Sequence, residues 1–160
     1  MVINNNKATI IGLFLLALFF IQFFFNLEWE WLYKLQQEQM YKRWSGLALA
    51  SFIVFQWLLT LTRIIKKLRK HAMSMLVIHK WLGALSPLFF YIHSTALGYG
   101  YLLLLSYIFF SNTLLGYFNL DVIKKNSDFI FKGWMITHVL LSVLVTVLLV
   151  FHVTMVFYYK

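Results

Sequence analysis

Residues 74–95 read SMLVIHKWLGALSPLFFYIHST, an apolar stretch long enough to cross a membrane that nevertheless contains two histidines. His79 and His93 are two of only five histidines in the chain. Ionisable side chains inside a membrane are rare, because an unpaired polar group in hydrocarbon is unfavourable, and they usually serve a function. The fold of this stretch and the role of its histidines therefore have to be considered together.

The composition predicts an integral membrane protein. Hydrophobic residues make up 62% of the chain and charged residues 12%, whereas soluble proteins are roughly half apolar and about a quarter charged. Four runs contain no charged side chain: Ala8–Leu27, Trp44–Thr62, Trp81–Leu120 and Gly133–Tyr159. The third run has 40 residues, which is enough for two crossings.

These runs predict an all-α bundle of about five transmembrane helices in a single domain, residues 1–160. The predicted helices cover about residues 8–26, 45–63, 72–95, 99–118 and 133–158. Segment 27–44 mixes aromatic rings with charged side chains, which predicts an interfacial segment on the outer membrane surface.

The basic residues predict the orientation. Five of them share one short loop: Arg63, Lys66, Lys67, Arg69 and Lys70. Because basic residues in short loops stay on the cytoplasmic side, we expect a cytoplasmic amino terminus and an external carboxyl terminus, in a bacterial inner (plasma) membrane. Topology and contact with membrane lipid account for such a cluster, so no nucleic acid partner is expected. The chain has no cysteine, which excludes thiolate-bound iron–sulfur clusters.

The histidines of two predicted helices have equal spacing. His79 and His93 are fourteen positions apart in the third helix, and His138 and His152 are fourteen apart in the fifth. This spacing leaves side chains roughly 40° apart on one helix face and about 21 Å apart along the axis. Helices separated by one crossing run in the same direction. We therefore predict two facing pairs, His79 with His138 on the inner side and His93 with His152 on the outer side.

Facing imidazole pairs suit haem iron, which takes two axial ligands from opposite faces of the porphyrin. We therefore predict two b haems between helices 3 and 5, with each histidine pair binding one iron. Three small residues between the histidines of helix 3 would leave room for a porphyrin: Gly83, Ala84 and Ser86. Basic residues could neutralise haem propionates: Arg69, Lys70 and Lys80 inside, Arg43 and Lys160 outside. A histidine-based metal or proton transporter is the non-redox alternative, and hydrogen bonding between helices is the structural one.

Two strings carry a resemblance to a known family. HKWLGALSPLFFYIH, residues 79–93, follows a basic loop and resembles the third membrane helix of the ferric reductase and NADPH oxidase superfamily. THVLLSVLVTVLLVFH, residues 137–152, is similar to that family's fifth helix. The resemblance covers about residues 45–160 and implies that the four histidines ligate two stacked b haems. Oxidases of the family usually have one residue fewer between the ligands of the second of these helices, and the equal spacing is also that of quinol-oxidising cytochromes b.

The resemblance also implies which partners to expect. Large members of the family carry a sixth membrane helix and flavin and nicotinamide domains, and the 160 residues contain no glycine-rich dinucleotide fingerprint. We therefore expect a haem-only electron-transfer subunit of an oxidoreductase rather than a complete enzyme, without catalytic acid, base or nucleophile. A flavoprotein or quinol would donate electrons, and ferric iron, oxygen or a periplasmic redox protein would accept them. The alternative is a quinol-oxidising cytochrome b subunit or the membrane anchor of a larger redox complex.

Overall fold

The computed structural model describes residues 6–118 and 128–159, and every regular element in those two ranges is a helix. The prediction of an all-α chain is confirmed for these residues. In chain order the helices are α1 (Asn6–Phe25), α2 (Glu30–Gln37), α3 (Gln39–Gln56), α4 (Leu58–Ile64), a 3₁₀-helix (Lys66–His71), α5 (Ala72–His93), α6 (Tyr101–Tyr117) and α7 (Asp128–Tyr158).

In residues 6–118 and 128–159, four helical stretches are long and apolar enough to cross a membrane: Lys7–Phe25, Gln39–Ile64, Lys66–His93 and Asp128–Tyr158. They correspond to the first, second, third and fifth predicted helices. The fourth predicted helix is present as α6, which is apolar but only 17 residues long. The structure thus supports a bundle of membrane helices, and a fifth crossing stays a prediction.

Several helix ends differ from the predicted ones. The predicted helix 45–63 begins earlier, at Gln39, and is interrupted at Trp57 between α3 and α4. The predicted interfacial segment 27–44 contains α2 and the first six residues of α3, and α7 begins at Asp128 instead of residue 133. A hydropathy pattern marks the apolar part of a helix, and helices continue into polar sequence as long as backbone hydrogen bonds can form. Residues 119–127 of the predicted inner loop, and Lys160, lie outside the described residues.

α5 and α7 do not pack along each other, and we call the region between them, where their histidines lie, the gap. α5 packs against α1, α3, α4 and α6, whereas α7 packs against α6 and α3. Within the described ranges, α5 and α7 each pack on α3 and α6 rather than along one another. The gap between α5 and α7 is therefore bounded by α3 on one side and α6 on the other.

Side-chain contacts show the direction of each helix. Phe19 packs on Phe90, and Gly12 lies beside Tyr117 at the carboxyl end of α6, so α1 runs parallel to α5 and antiparallel to α6. Trp134 near the start of α7 contacts Leu115 near the end of α6, so α7 is antiparallel to α6. We name the end that carries the 3₁₀-helix Lys66–His71 the basic end, and the opposite one the far end.

Phenylalanines hold α1, α5 and α6 together. Phe90 of α5 packs edge-on against Phe19 at 5.4 Å and lies 5.5 and 4.7 Å from Phe109 and Phe110 of α6, measured between ring centroids. Aromatic pairs of this kind contribute roughly 0.5–1.5 kcal/mol each beyond the area they bury. α7 adds the buried Val145 to this core instead of an aromatic ring.

α5 continues through a buried proline because other residues replace the missing hydrogen bond. Pro87 has no N–H to donate to the carbonyl of Gly83, four residues earlier. The Ser86 hydroxyl donates to that carbonyl over 2.6 Å, and the Tyr117 hydroxyl donates to it over 3.0 Å. Gly12 makes room for the tyrosine, since a Cβ there would lie 2.7 Å from two of its ring carbons.

Tyr117→Phe is expected to lower the free energy of unfolding by about 1 kcal/mol, because it removes the hydrogen bond between α6 and α5. The measurement is denaturant unfolding of the purified chain in detergent micelles. Tyr107→Phe is the control, since Tyr107 lies on the exposed side of the same helix. Equal stability of the two variants would show that the bond to Gly83 contributes nothing.

α2 caps the carboxyl end of α5 through the buried Gln36. Its Nε2 donates to the carbonyls of Tyr91 (2.7 Å) and Ile92 (3.2 Å), which have no partner within the helix. Its Oε1 accepts hydrogen bonds from the backbone N–H (3.3 Å) and the hydroxyl (3.2 Å) of Thr95. The interfacial segment is therefore attached to the helix that ends at His93, while Trp29 and Trp31 remain exposed.

Gln36→Ala is expected to loosen the far end of α5, because it leaves the Tyr91 carbonyl and the Thr95 N–H without their partner, while the Ile92 carbonyl keeps the Tyr41 hydroxyl. Hydrogen exchange at the Thr95 amide should become at least several-fold faster. Gln37→Ala is the matched control, because the neighbouring Gln37 is exposed. Unchanged protection of Thr95 in Gln36→Ala would mean that α2 does not cap α5.

Candidate functional site

The four histidines predicted as ligands occur as two pairs between α5 and α7. At the basic end the ring centroids of His79 and His138 are 6.2 Å apart, and their planes are perpendicular at 89°. At the far end, His93 of α5 and His152 of α7 are near enough for the charge of one to affect the other. All four rings are partly buried. His71, the fifth histidine, is exposed in the 3₁₀-helix, as expected for a residue outside the ligand set.

α3 supports the histidine at the far end of α5. Nδ1 of His93 lies 3.1 Å from the hydroxyl oxygen of Ser45. The next residue, Gly46, lets the ring approach the helix, because a Cβ there would lie 2.9 Å from its Cε1. His93 therefore sits directly against the α3 backbone.

α6 supports the histidine at the far end of α7. The Tyr101 hydroxyl lies 3.4 Å from Nδ1 of His152, and the two ring centroids are 6.2 Å apart. Tyr101 also packs edge-on against Phe151, at 5.2 Å between centroids. Both far-end histidines thus have a hydroxyl beside Nδ1.

The basic-end histidines face backbone carbonyls instead. The carbonyl of Gln56, the last residue of α3, lies beside the ring of His79, and that of Asn112 lies beside the ring of His138. Gly116, one turn after Asn112, opens this part of α6, since a Cβ there would lie 3.3 Å from Cε1 of His138. Neither Nδ1 reaches hydrogen-bonding geometry, so both are buried without a partner.

A tryptophan further orients the basic-end pair. Trp134 precedes His138 by one turn of α7, and the two rings are parallel within 1°, with centroids 5.9 Å apart. The indole N–H donates to the carbonyl of Leu115 over 2.8 Å, which attaches this turn of α7 to α6. The ring of His138 is therefore held by contacts to both helices.

The supporting positions repeat along the chain. Ser45 and Gln56 on α3 are 56 positions before Tyr101 and Asn112 on α6. The two histidines of α5 are 59 positions before those of α7. The helix pairs α3 with α5 and α6 with α7 therefore present their histidines in the same way, although their side chains differ.

The predicted small residues do not all border the same space. A Cβ on Gly83 would meet no atom within 4 Å, so this glycine borders an opening. Ala84 and Ser86 are buried by packing within the bundle. Only Gly83 of the three thus leaves open space beside α5.

The charged residues nearest the histidines differ in part from those predicted. Arg63 and Lys80 lie near enough to His79 for their charges to affect it, and Lys42 lies near enough to His93. Of the predicted basic-end cations, Lys80 is thus in range, while the Arg69 side chain turns back to donate to the carbonyl of Arg63 over 3.3 Å. Lys42, one residue before the predicted Arg43, was not identified from the sequence.

No family model, curated protein or solved structure matches this chain. The likeness to the ferric reductase superfamily therefore stays a resemblance between short strings, and a functional assignment has to come from the geometry of the histidine pairs.

The residues that support the histidines were not predicted from the sequence. Most of them lie on a different helix from the histidine that they contact. The exception is Trp134, whose spacing of four residues from His138 was the one signal available in the sequence. The others are Ser45, Gly46, Gln56, Tyr101, Asn112 and Gly116. Serine and glycine are common in membrane helices wherever two helices pack closely, so these positions become recognisable only once the helices are packed.

Proposed function

We propose that this chain is a transmembrane electron-transfer cytochrome b subunit, with two b haems in the gap between α5 and α7. His79 and His138 would ligate one iron, and His93 and His152 the other. The observation that carries the proposal is the His79–His138 pair, whose ring centroids lie 6.2 Å apart between two helices that do not pack along each other. Five crossings of the membrane, with α6 as the fourth, complete the proposed topology.

The distance between the two rings fits ligation from both sides of one metal. Metal–imidazole bonds are roughly 2 Å long, which would place the ring centres roughly 6 to 6.5 Å apart. The centroids of His79 and His138 are 6.2 Å apart. Gly83, one turn after His79 on α5, borders open space.

The surroundings of the two Nδ1 atoms suit metal binding through Nε2. Buried polar atoms without a partner are uncommon, and where they occur they point to a role. Two of the five such side-chain atoms in the described part of the chain are Nδ1 of His79 and Nδ1 of His138. A ring that binds metal through Nε2 carries its proton on Nδ1, and the adjacent carbonyls of Gln56 and Asn112 are suitable acceptors.

Paired ligands suit haem better than zinc. Protein zinc sites take three or four side-chain ligands. Residues 6–118 and 128–159 contain no group of three or more histidine, aspartate or glutamate side chains that could hold a metal ion. Haem iron needs only two axial ligands from the protein, because the porphyrin supplies the other four.

The cofactor would supply one-electron chemistry, and the chain would ligate, orient and insulate it. We place the basic end in the cytoplasm of a bacterial cell by the positive-inside rule. A flavoprotein or quinol would then donate electrons, with the acceptor across the membrane. α7 is the least buried of the four long apolar stretches, which leaves a broad face for lipid or for another subunit of a larger redox complex.

The test is the ratio of haem to protein in the full chain purified in detergent. We expect about two haems per chain and a low-spin spectrum on reduction with dithionite. Reduction by a quinol analogue as well would favour the quinol-oxidising alternative, and failure of quinol would favour a flavoprotein donor. A colourless protein that retains zinc would refute the proposal in favour of a metal transporter.

A further inference from the structure

We infer that Ser45 holds His93 in the tautomer that leaves Nε2 free for the metal, so that this ligand is prepared before haem binds. The geometric part concerns the protein alone, while the consequence for iron rests on the proposed function. Ser45 would be a positioning residue, because it acts through His93 and does not itself touch iron.

The position of the serine proton decides the direction of the hydrogen bond. Ser45 Oγ lies 2.7 Å from the carbonyl oxygen of Tyr41, one turn earlier in α3, and 3.1 Å from Nδ1 of His93. A carbonyl oxygen only accepts, and a hydroxyl has a single proton to donate. At 2.7 Å two oxygens need a proton between them, so Ser45 donates to Tyr41.

The remaining contact fixes the histidine. With its proton directed to Tyr41, Ser45 Oγ can only accept from His93, so Nδ1 must carry the N–H. A neutral imidazole with N–H at Nδ1 has its lone pair at Nε2, which is the atom available to a metal. Gly46 reinforces the arrangement, because the lack of a Cβ lets His93 lie close enough to α3.

The hydrogen bond that Ser45 accepts from His93 should also change how strongly His93 donates electrons to the iron. A hydrogen bond from Nδ1–H to an acceptor raises the basicity of a metal-bound imidazole, which favours ferric over ferrous iron. The Ser45 hydroxyl contacts His93 of the far-end pair, whereas His79 and His138 are placed against backbone carbonyls. Loss of the hydroxyl should therefore raise the midpoint potential of the far-end haem alone.

The first test determines the tautomer of His93 in the absence of haem. In the haem-free full chain, ¹⁵N NMR of the imidazoles, assigned with His93→Ala, should show His93 protonated at Nδ1. Ser45→Ala should shift the signals toward a mixture of tautomers, and Ser45→Thr should restore the wild-type signals. Two results would overturn the inference even if the protein binds two haems. One is a wild-type His93 protonated at Nε2, and the other is a His93 signal that does not change in Ser45→Ala.

The second test measures the effect of Ser45 on the midpoint potential of the haem iron. In redox titrations, Ser45→Ala should raise the midpoint potential of one haem and leave the other unchanged, with Ser45→Thr reversing the shift. Thr154→Ala is the control, because Thr154 has the same bond to a carbonyl one turn earlier (Val150, 2.8 Å) and is exposed near the far end. Equal shifts in the midpoint potentials of both haems, or no shift, would overturn the inferred effect of Ser45 on iron. Absence of haem in the wild type would instead refute the proposed function and leave the NMR result valid.

Discussion

His79→Ala combined with His138→Ala is expected to leave about one haem per chain, whereas His79→Ala combined with His152→Ala is expected to leave almost none. The first combination removes both ligands of the basic-end haem and leaves the far-end pair intact. The second removes one ligand from each pair. The prediction follows from the ring separation of 6.2 Å at the basic end and from the positions of His93 and His152, which are near enough at the far end to sense each other's charge.

The haem-to-protein ratio from a pyridine haemochrome assay measures this difference. Single variants at His79 and His138 should lose the same spectral component, and those at His93 and His152 the other one. His71→Ala is the control, since His71 is exposed in the 3₁₀-helix and should keep both haems. If His79→Ala and His93→Ala removed the same component, the pairing across the gap would be wrong.

Gly46→Ala is expected to weaken haem binding at the far end by roughly tenfold or more, the range in which changes around metal ligands usually fall. The new Cβ would lie 2.9 Å from Cε1 of His93, too close without a shift of the ring. Gly116→Ala should have a smaller effect at the basic end, because its Cβ would lie 3.3 Å from Cε1 of His138. The two substitutions should therefore weaken the binding of different haems, and Gly46→Ala should cause the larger loss.

Haemin titration of the haem-free chain measures both affinities. Gly133→Ala is the matched control: Gly133 is also helical, but its Cβ would meet no atom within 4 Å. Alanine is the better helix former by up to about 1 kcal/mol, so a loss at Gly46 would arise despite a gain in helix propensity. Equal haem affinity of Gly46→Ala and Gly133→Ala would argue against close packing of His93 on α3.

Much of the architecture could be predicted because it depends on local sequence. Long apolar runs have to be helical in a membrane, where every backbone group needs an internal partner, and the described residues are helical as expected. The spacing of fourteen residues puts the two histidines of each helix on one face of that helix, whatever surrounds them. Helix ends were less predictable: α3 begins at Gln39 and α7 at Asp128, since amphipathic sequence continues the helices beyond the apolar runs.

The sequence alone therefore determined that the chain forms apolar helices and which positions on α5 and α7 carry imidazoles facing one way. Only the tertiary structure decided what surrounds those imidazoles. Ser45 meets His93 from 48 positions away and Tyr101 meets His152 from 51 positions away, and no pattern within one helix encodes such a contact. The separation of α5 from α7 likewise depends on how both pack on α3 and α6. Hydropathy and spacing depend on neighbours along one helix, whereas the tautomer, the support and the space at each ring depend on helices that meet only after folding.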